Sequence, residues 1–328
     1  MNVKLREPSV SRGWLRQHAS DIAAYGGLAL CVAFFTVLTP IFGESIWSAR
    51  KLTTLMSDVI VTALLSIGAV FVYALGNMEI SIGKQVGLYA TLMVLLGNLT
   101  GSLLWGTLLS LLIAVFIAVI NGAAGELLNI HPIVPSVVFM FILSGVSTII
   151  YVTLGTRNIS LASIDHEVFK SPLLMLAALL AEQLLVGWLF NFTRLGKYAR
   201  AIGANPVAAA QSGVNLLRYK IAAYAILGVC IVFASLFQMG YTGAASDSTG
   251  TGFEMNVMVA LILGGMPLSG GMRSKISCAV VGAFTFSLLD VGLPMIGVST
   301  RVAYGIKALI FLAVVFITCR KKEGTLPR

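Results

Sequence analysis

Charged side chains are scarce in this sequence. They make up 11% of its 328 residues, against roughly 25% in an ordinary soluble domain, while 58% of the residues are apolar. That balance excludes a water-soluble globular domain. Cysteine is rare too. Cys31, Cys230, Cys278 and Cys319 are scattered through apolar stretches without the close spacing of disulfide frameworks, metal sites or redox pairs, and read as small core residues. His18, His131 and His166 fall in or beside polar connections, again without ligand spacing, so neither a metal nor another cofactor is implied.

Several chemistries are missing as well. No G-x-x-x-x-G-K-[ST] phosphate loop occurs, so the chain carries no nucleotide site of that kind. The nearest glycine cluster, LGGMPLSGGMRSK from Leu263 to Lys275, lacks the Lys-Ser/Thr ending and reads as a tight turn between membrane helices. Neither His-Glu-x-x-His, Gly-x-Ser-x-Gly nor a paired-carboxylate arrangement is present to support an intramembrane enzyme, and no catalytic residue is assigned. An ion-coupled carrier would need ionisable groups near mid-membrane, yet Asp58 and Asp290 fall toward the outer ends of their spans and only Glu182 lies deep. The net charge of +9 is spread between spans with no aromatic-interleaved basic patch, which excludes nucleic acid as a partner.

What is present is a recurring apolar run of the length that crosses a bilayer, about 20 residues for a helix. The pattern predicts an all-α, polytopic transmembrane bundle of about ten membrane segments, at 22–42, 54–75, 84–99, 103–120, 133–152, 172–191, 220–239, 257–270, 277–295 and 302–319. Broken or re-entrant helices are expected after Met255 and around Gly97 to Leu103. The first run follows Lys4, Arg6, Arg12 and Arg16 but is too long for a signal peptide, so it reads as a retained span.

Basic residues set the orientation. Arg194, Lys197, Arg200, Arg218 and Lys220 share one loop, Arg273 and Lys275 another, and Arg320, Lys321 and Lys322 a tail, which favours both termini in the cytoplasm. Residues 1–21 are then a basic cytoplasmic segment, 22–319 a single membrane domain with a cytoplasmic loop at about 192–219, and 320–328 a cytoplasmic tail.

Within that loop lies AIGANPVAAAQSGVN, Ala201 to Asn215. Asn205 can cap a helix, Pro206 suits its first turn, three alanines favour its body and Gly213 can end it. Ala208, Ala209 and Ala210 keep the helix thin enough for a partner's surface to approach closely, and Arg194, Lys197 and Arg200 flank it with charge. These features fit a docking element for a separate ATPase. They equally fit a solvated loop helix.

The longer stretch TRLGKYARAIGANPVAAAQSGVN, Thr193 to Asn215, resembles the cytoplasmic coupling loop of sugar-type permease subunits of bacterial ABC importers, the ribose permease family. The matching residues are Thr193, Gly196, Ala201, Ile202, Gly203, Asn205, Ala208, Ala209, Ser212, Gly213 and Val214. LGNMEISIGK, Leu75 to Lys84, and the stretch from Gly250 to Ile276 resemble two further family signatures in the expected order. Departures occur at Asn77, Glu79, Lys84, Met266, Pro267, Met272 and Arg273, and they bear on which sugar is carried.

The resemblance implies a permease of the bacterial cytoplasmic (inner) membrane that carries a sugar. Its partners would be a cytoplasmic ABC ATPase subunit, an extracytoplasmic sugar-binding protein and a second permease copy or sister permease. An ABC permease for amino acids or nucleosides is the alternative on the same scaffold, and an ion-coupled secondary carrier is a more distant one. The residues expected to couple to the ATPase are Gly203, Asn205, Pro206, Ala209, Ser212 and Gly213. Asn77, Glu79 and Ser81, with Gly264 and Gly265, are candidates for the translocation path or for a helix break. Glu79 and Lys84 are near enough in sequence to pair across their turn, and Asp290 and Lys307 fall at matching depth in the last two segments.

Overall fold

The computed structural model describes residues 19–43, 45–162 and 164–319, so the expectations for the leader up to His18 and for the tail from Arg320 lie outside the described residues. Helices α1 (Ala19–Phe42), α2 (Ala49–Ala74), α3 (Ile82–Thr100), α4 (Leu103–Leu127), α5 (Ile133–Thr153) and α6 (Pro172–Phe192) form the first half. Two shorter helices, α7 (Arg194–Ala204) and α8 (Pro206–Gln211), lead into α9 (Leu216–Thr242). The chain ends through α10 (Phe253–Leu263), α11 (Ser277–Met295) and α12 (Thr300–Cys319).

Among the described residues, seven helices are long and apolar enough to cross a membrane: Ile22–Phe42, Ala49–Ala74, Leu103–Leu127, Ile133–Thr153, Pro172–Phe192, Leu216–Thr242 and Ser277–Met295. Helices also stand at the other three expected segments. However, Ile82–Thr100 and Thr300–Cys319 are not among the seven, and the segment expected at 257–270 is an 11-residue helix that stops at Leu263. The reason is local. Gly264 and Gly265 follow, the latter at φ +91°, and the chain turns there instead of continuing the helix. Around Gly97 to Leu103 no helix is broken within itself; Gly101, at φ +70°, closes α3, and Ser102 caps α4 by accepting from the Leu104 amide at 3.3 Å.

Helix α2 is the axis of the bundle. In its most apolar window 83% of the residues are buried, against 17% for Ile22–Phe42 and for Ile133–Thr153, so α2 is surrounded by protein while α1 and α5 lie outside it. The exposed side chains of the outer helices are large and apolar, among them Leu112, Phe116, Phe141 and Ile149, as expected where lipid is the solvent. Small residues set the helix spacing: a Cβ on Gly68 of α2 would lie 2.6 Å from the Cys230 side chain of α9. Cys230 and Cys278 are buried, in keeping with their reading as small core residues.

One feature was not expected from the apolar pattern. Residues Asn158–Ser160 (β1) and Ala244–Ser246 (β2) pair antiparallel, Asn158 opposite Ser246, and join the loop after α5 to the end of α9. Asn98 of α3 completes the tie, its side chain donating to the Ser160 carbonyl and accepting from the Ala162 amide, each at 2.9 Å.

Asp290 of α11 and Lys307 of α12 form an ion pair, as their matching depth suggested. Lys307 also lies over the Phe286 and Tyr304 rings, at 5.1 and 4.5 Å from their centroids. Asp58 of α2 lies near enough to feel both members of the pair, with Ser287 of α11 beside it. Lys307→Met should therefore lower the yield of folded protein, since it leaves Asp58 and the half-buried Asp290 without their nearby cation. Adding Asp290→Asn should restore part of the loss. The yield of monodisperse, detergent-extracted protein measures this, and equal yields for the single and double variants would contradict it.

Candidate functional site

The island between α6 and α9 is fastened at every corner. The Thr193 hydroxyl accepts from the Leu195 amide at 3.2 Å and starts α7. Arg200 folds back, donating to the Phe190 and Gly196 carbonyls at 3.1 and 3.2 Å, with its guanidinium 4.8 Å from the centre of the Phe190 ring. Phe190 in turn meets Phe71 of α2 edge to face at 5.1 Å. Arg200 is thus a structural brace. The basic side chains left exposed beside the island are Arg194, Lys197 and Arg218.

Helix α8 follows the expected recipe. The Asn205 side chain accepts from the Ala208 amide at 3.0 Å, Pro206 opens the helix, and Gly213 at φ +81° ends it. The Ser212 hydroxyl returns to the Ala208 carbonyl at 2.8 Å, and the Val214 amide to the Ala209 carbonyl at 3.1 Å. One residue faces the other way from the expectation. Ala209 is buried in the chain's own core, so the outward surface of α8 is Val207, Ala208, Ala210 and Gln211. The helix is narrow on its inner side because it sits close to the bundle.

Helix α7, which leads into α8, is held by a contact between backbones. A Cβ on Gly203 would lie 1.9 Å from the Ala74 carbonyl oxygen, the last residue of α2, and 2.8 Å from the Gly271 amide nitrogen. The Gly271 amide donates to the same Ala74 carbonyl at 2.9 Å. A Cβ on Gly270 would lie 2.4 Å from the Tyr73 carbonyl oxygen. The island, the end of the central helix and the turn after α10 therefore converge on one joint that only glycine permits.

Beyond Ala74 the chain leaves helical geometry until Ile82, and past the exposed Gly76 this irregular backbone is buried or half-buried, so its polar groups need partners within the protein. Glu79 organises the break. Its Oε1 accepts from the Ser81 amide at 2.9 Å, from the Ser81 hydroxyl and from the Ser136 hydroxyl of α5 at 2.7 Å; its Oε2 accepts from the Asn121 side chain of α4 at 3.0 Å. The Ser136 hydroxyl also accepts from the Ile80 amide at 2.5 Å. Behind Ser81 a relay continues through Gln85 at 2.8 Å to the Tyr89 hydroxyl at 3.0 Å. One carboxylate thus ties the break to α3, α4 and α5, with both of its oxygens engaged.

The family described as "Branched-chain amino acid transport system / permease component" matches residues 51–315. The chain belongs to this permease family. Among curated relatives, the ribose import permease protein of Escherichia coli is 25% identical over 327 residues, covering 95% of this chain and 96% of its own. The galactose/methyl galactoside import permease protein of the same organism is 27% identical, covering 90% and 94%, and its xylose transport system permease protein is 24% identical, covering 98% of each. No solved structure matches the chain significantly.

Across the permease, the expected residues fall into two groups. Gly203, Asn205, Pro206, Ala209, Ser212 and Gly213 lie together on α7, α8 and their caps. Glu79 and Ser81 lie together in the buried break with Asn77 just before them, while Gly264 and Gly265 end α10. The expected pairing of Glu79 with Lys84 does not form. Glu79 is consumed by the hydroxyl and amide donors around it, and the Lys84 ammonium reaches instead to the Thr251 hydroxyl at 3.4 Å. Glu182 stands apart from both groups, on α6 beside Cys230, with one buried oxygen that has no partner.

Sequence reasoning missed Ser136, Asn121 and Gln85, single polar residues inside long apolar runs. That rarity was the available signal. It also missed Gly271 as the partner of Gly203, because nothing in the spacing connects residues so far apart. Gly203→Ala should destabilise the purified permease by about 1–3 kcal/mol, the usual range for overpacking. Ser212→Ala should cost no more than about 1 kcal/mol, a typical hydrogen-bond loss. Thermal unfolding in detergent compares them, and equal midpoints would remove the joint's special status.

Proposed function

We propose that the chain is the transmembrane permease subunit of an ABC importer of the bacterial cytoplasmic membrane. It translocates a sugar delivered by an extracytoplasmic binding protein, and a separate cytoplasmic ATPase drives it. The observation that carries this reading is a short, doubly capped helix, α8, presented on the surface directly after α7, whose Gly203 is in backbone contact with the central helix, in a chain with no phosphate-binding loop. A push at the outer face of α8 passes through α7 and Gly203 to α2. The sugar assignment is supported by the relatives, which import ribose, galactose or methyl galactoside, and xylose, and which match along nearly the whole chain.

In this reading residues 22–319 form one membrane domain of ten segments with both termini in the cytoplasm, flanked by a basic segment, 1–21, and a tail, 320–328. The coupling loop spans about 192–219. Gly203, Asn205, Pro206, Ser212 and Gly213 fix the shape of the coupling helix, and Ala209 seats it. Glu79, Asn77 and Ser81 hold the helix break beside the path, with Gly264 and Gly265 shaping the turn. A second copy or a sister permease completes the path.

The test is reconstitution. In lipid vesicles the chain alone should neither hydrolyse ATP nor accumulate solute, and adding the ATPase and binding protein should produce uptake from a panel of ribose, xylose, galactose and leucine. Hydrolysis by the highly purified chain overturns the reading, and uptake of leucine in place of any sugar moves the protein to the amino-acid branch. Ala208→Glu and Ala210→Glu should insert normally yet weaken ATPase binding at least tenfold. Ala209→Glu should instead lower the yield of folded protein, because it forces a carboxylate into the core.

A further inference from the structure

At the end of the bundle that carries the two-stranded sheet, an open cavity of about 410 Å³ is bounded by Thr148 and Tyr151 of α5, Thr156 and Arg157 before β1, and Asp247 after β2. Its size falls in the range of small-molecule sites, roughly 300–1,000 Å³. Its chemistry differs from the surrounding outer surface, which is dominated by leucine, valine, isoleucine and phenylalanine.

Register brings the charges together. With Asn158 opposite Ser246, the next positions along the two strands are Arg157 and Asp247, and the Asp247 amide donates to the Arg157 carbonyl at 3.4 Å. Facing residues of opposite charge normally pair. These two do not: among the described residues neither Arg157 nor Asp247 has an ion-pair partner within 4.0 Å, and both are exposed to the cavity. A guanidinium and a carboxylate thus stand at one open space with hydrogen-bonding capacity to spare, while the Thr148 and Thr156 hydroxyls donate to the Ser144 and Asn158 carbonyls, each at 2.9 Å, and keep only acceptor capacity.

The cavity is continuous in chemistry with the interior. The Tyr151 hydroxyl is shared with Thr91 of α3 at 2.9 Å. One turn below Thr91, Gly87 lies so close to the chain leaving β2 that a Cβ would be 2.5 Å from the Thr249 carbonyl oxygen. Two residues on, Thr251 receives Lys84. A seam of hydroxyls between α3 and the segment 247–252 therefore runs from the cavity toward the N-terminus of α10.

We propose that this cavity is a receiving site for a single neutral sugar ring on its way from the binding protein into the permease. Asp247 accepts from adjacent ring hydroxyls, Arg157 donates to others, and the exposed Thr148 hydroxyl oxygen, whose proton goes to the Ser144 carbonyl, accepts from a further one. The site rests on the sugar-import reading above.

The experiment uses the complete assembly of permease, ATPase and binding protein in vesicles, with ribose, xylose and galactose as probes. It compares Arg157→Gln, Asp247→Asn and, as a control on the same loop but outside the cavity, Asp165→Asn. Three quantities are read: binding-protein docking, stimulation of ATP hydrolysis by the loaded binding protein, and sugar moved per ATP. For Arg157→Gln and Asp247→Asn the sugar moved per ATP should fall at least fivefold, with docking and stimulation within twofold of the unaltered assembly, and Asp165→Asn should change nothing. An unchanged transport ratio, or a loss of docking that parallels the loss of transport, overturns the receiving site while leaving sugar import intact. Failure of the unaltered assembly to move any of the three sugars overturns the import reading itself and this site with it.

Discussion

The bundle depends on the approach of three backbones at the Ala74 carbonyl. Gly203 and Gly271 come so near this oxygen that no side chain fits between them, and the hydrogen bond from Gly271 fixes the contact. The central helix, the surface island and the turn after α10 would each be a separate end without it. With it they share one fulcrum. A contact made of main chain has no rotamers to absorb displacement, so motion of the island is carried into α2 with little slack.

Glu79 answers a different demand. A chain that interrupts its helix inside an apolar bundle must satisfy the amides it frees, and this chain has only 13 acidic residues with which to do so. It spends one on the break. Ser81, Ser136 and Asn121 converge on that carboxylate from three helices, and the Ile80 amide is satisfied through Ser136. The ion pair of Asp290 with Lys307 follows the same logic elsewhere, with aromatic rings supplying the remaining surroundings of the ammonium.

What could be read from the sequence was local. The caps of α8, Asn205 and Gly213, were legible because capping depends on neighbours within a few residues. So was the Asp290 and Lys307 pair, since helix rise converts sequence position into depth on two helices joined by a short turn. The inward face of Ala209 was not, because a six-residue helix of mostly small side chains carries no reliable apolar stripe. Nor was the partnership of Glu79, since a carboxylate between a lysine and three hydroxyl or amide donors is assigned by tertiary packing, not by spacing. The strands stayed hidden because three residues are too few to show alternation.

The small sheet has a mechanical meaning out of proportion to its length. Through β1, β2 and the two bonds of Asn98 it laces the ends of α3, α5 and α9 into one unit. The glycine joint lies at the opposite end of the same helices' neighbour, α2, and is held by contacts of single atoms. The molecule is therefore fastened at both ends, by a ladder of strand hydrogen bonds at one and by close backbone contact at the other. The two fastenings differ in kind: several strand and side-chain hydrogen bonds share the load at the sheet, whereas at the joint a single carbonyl oxygen carries it, so one added methyl group there reaches three elements at once.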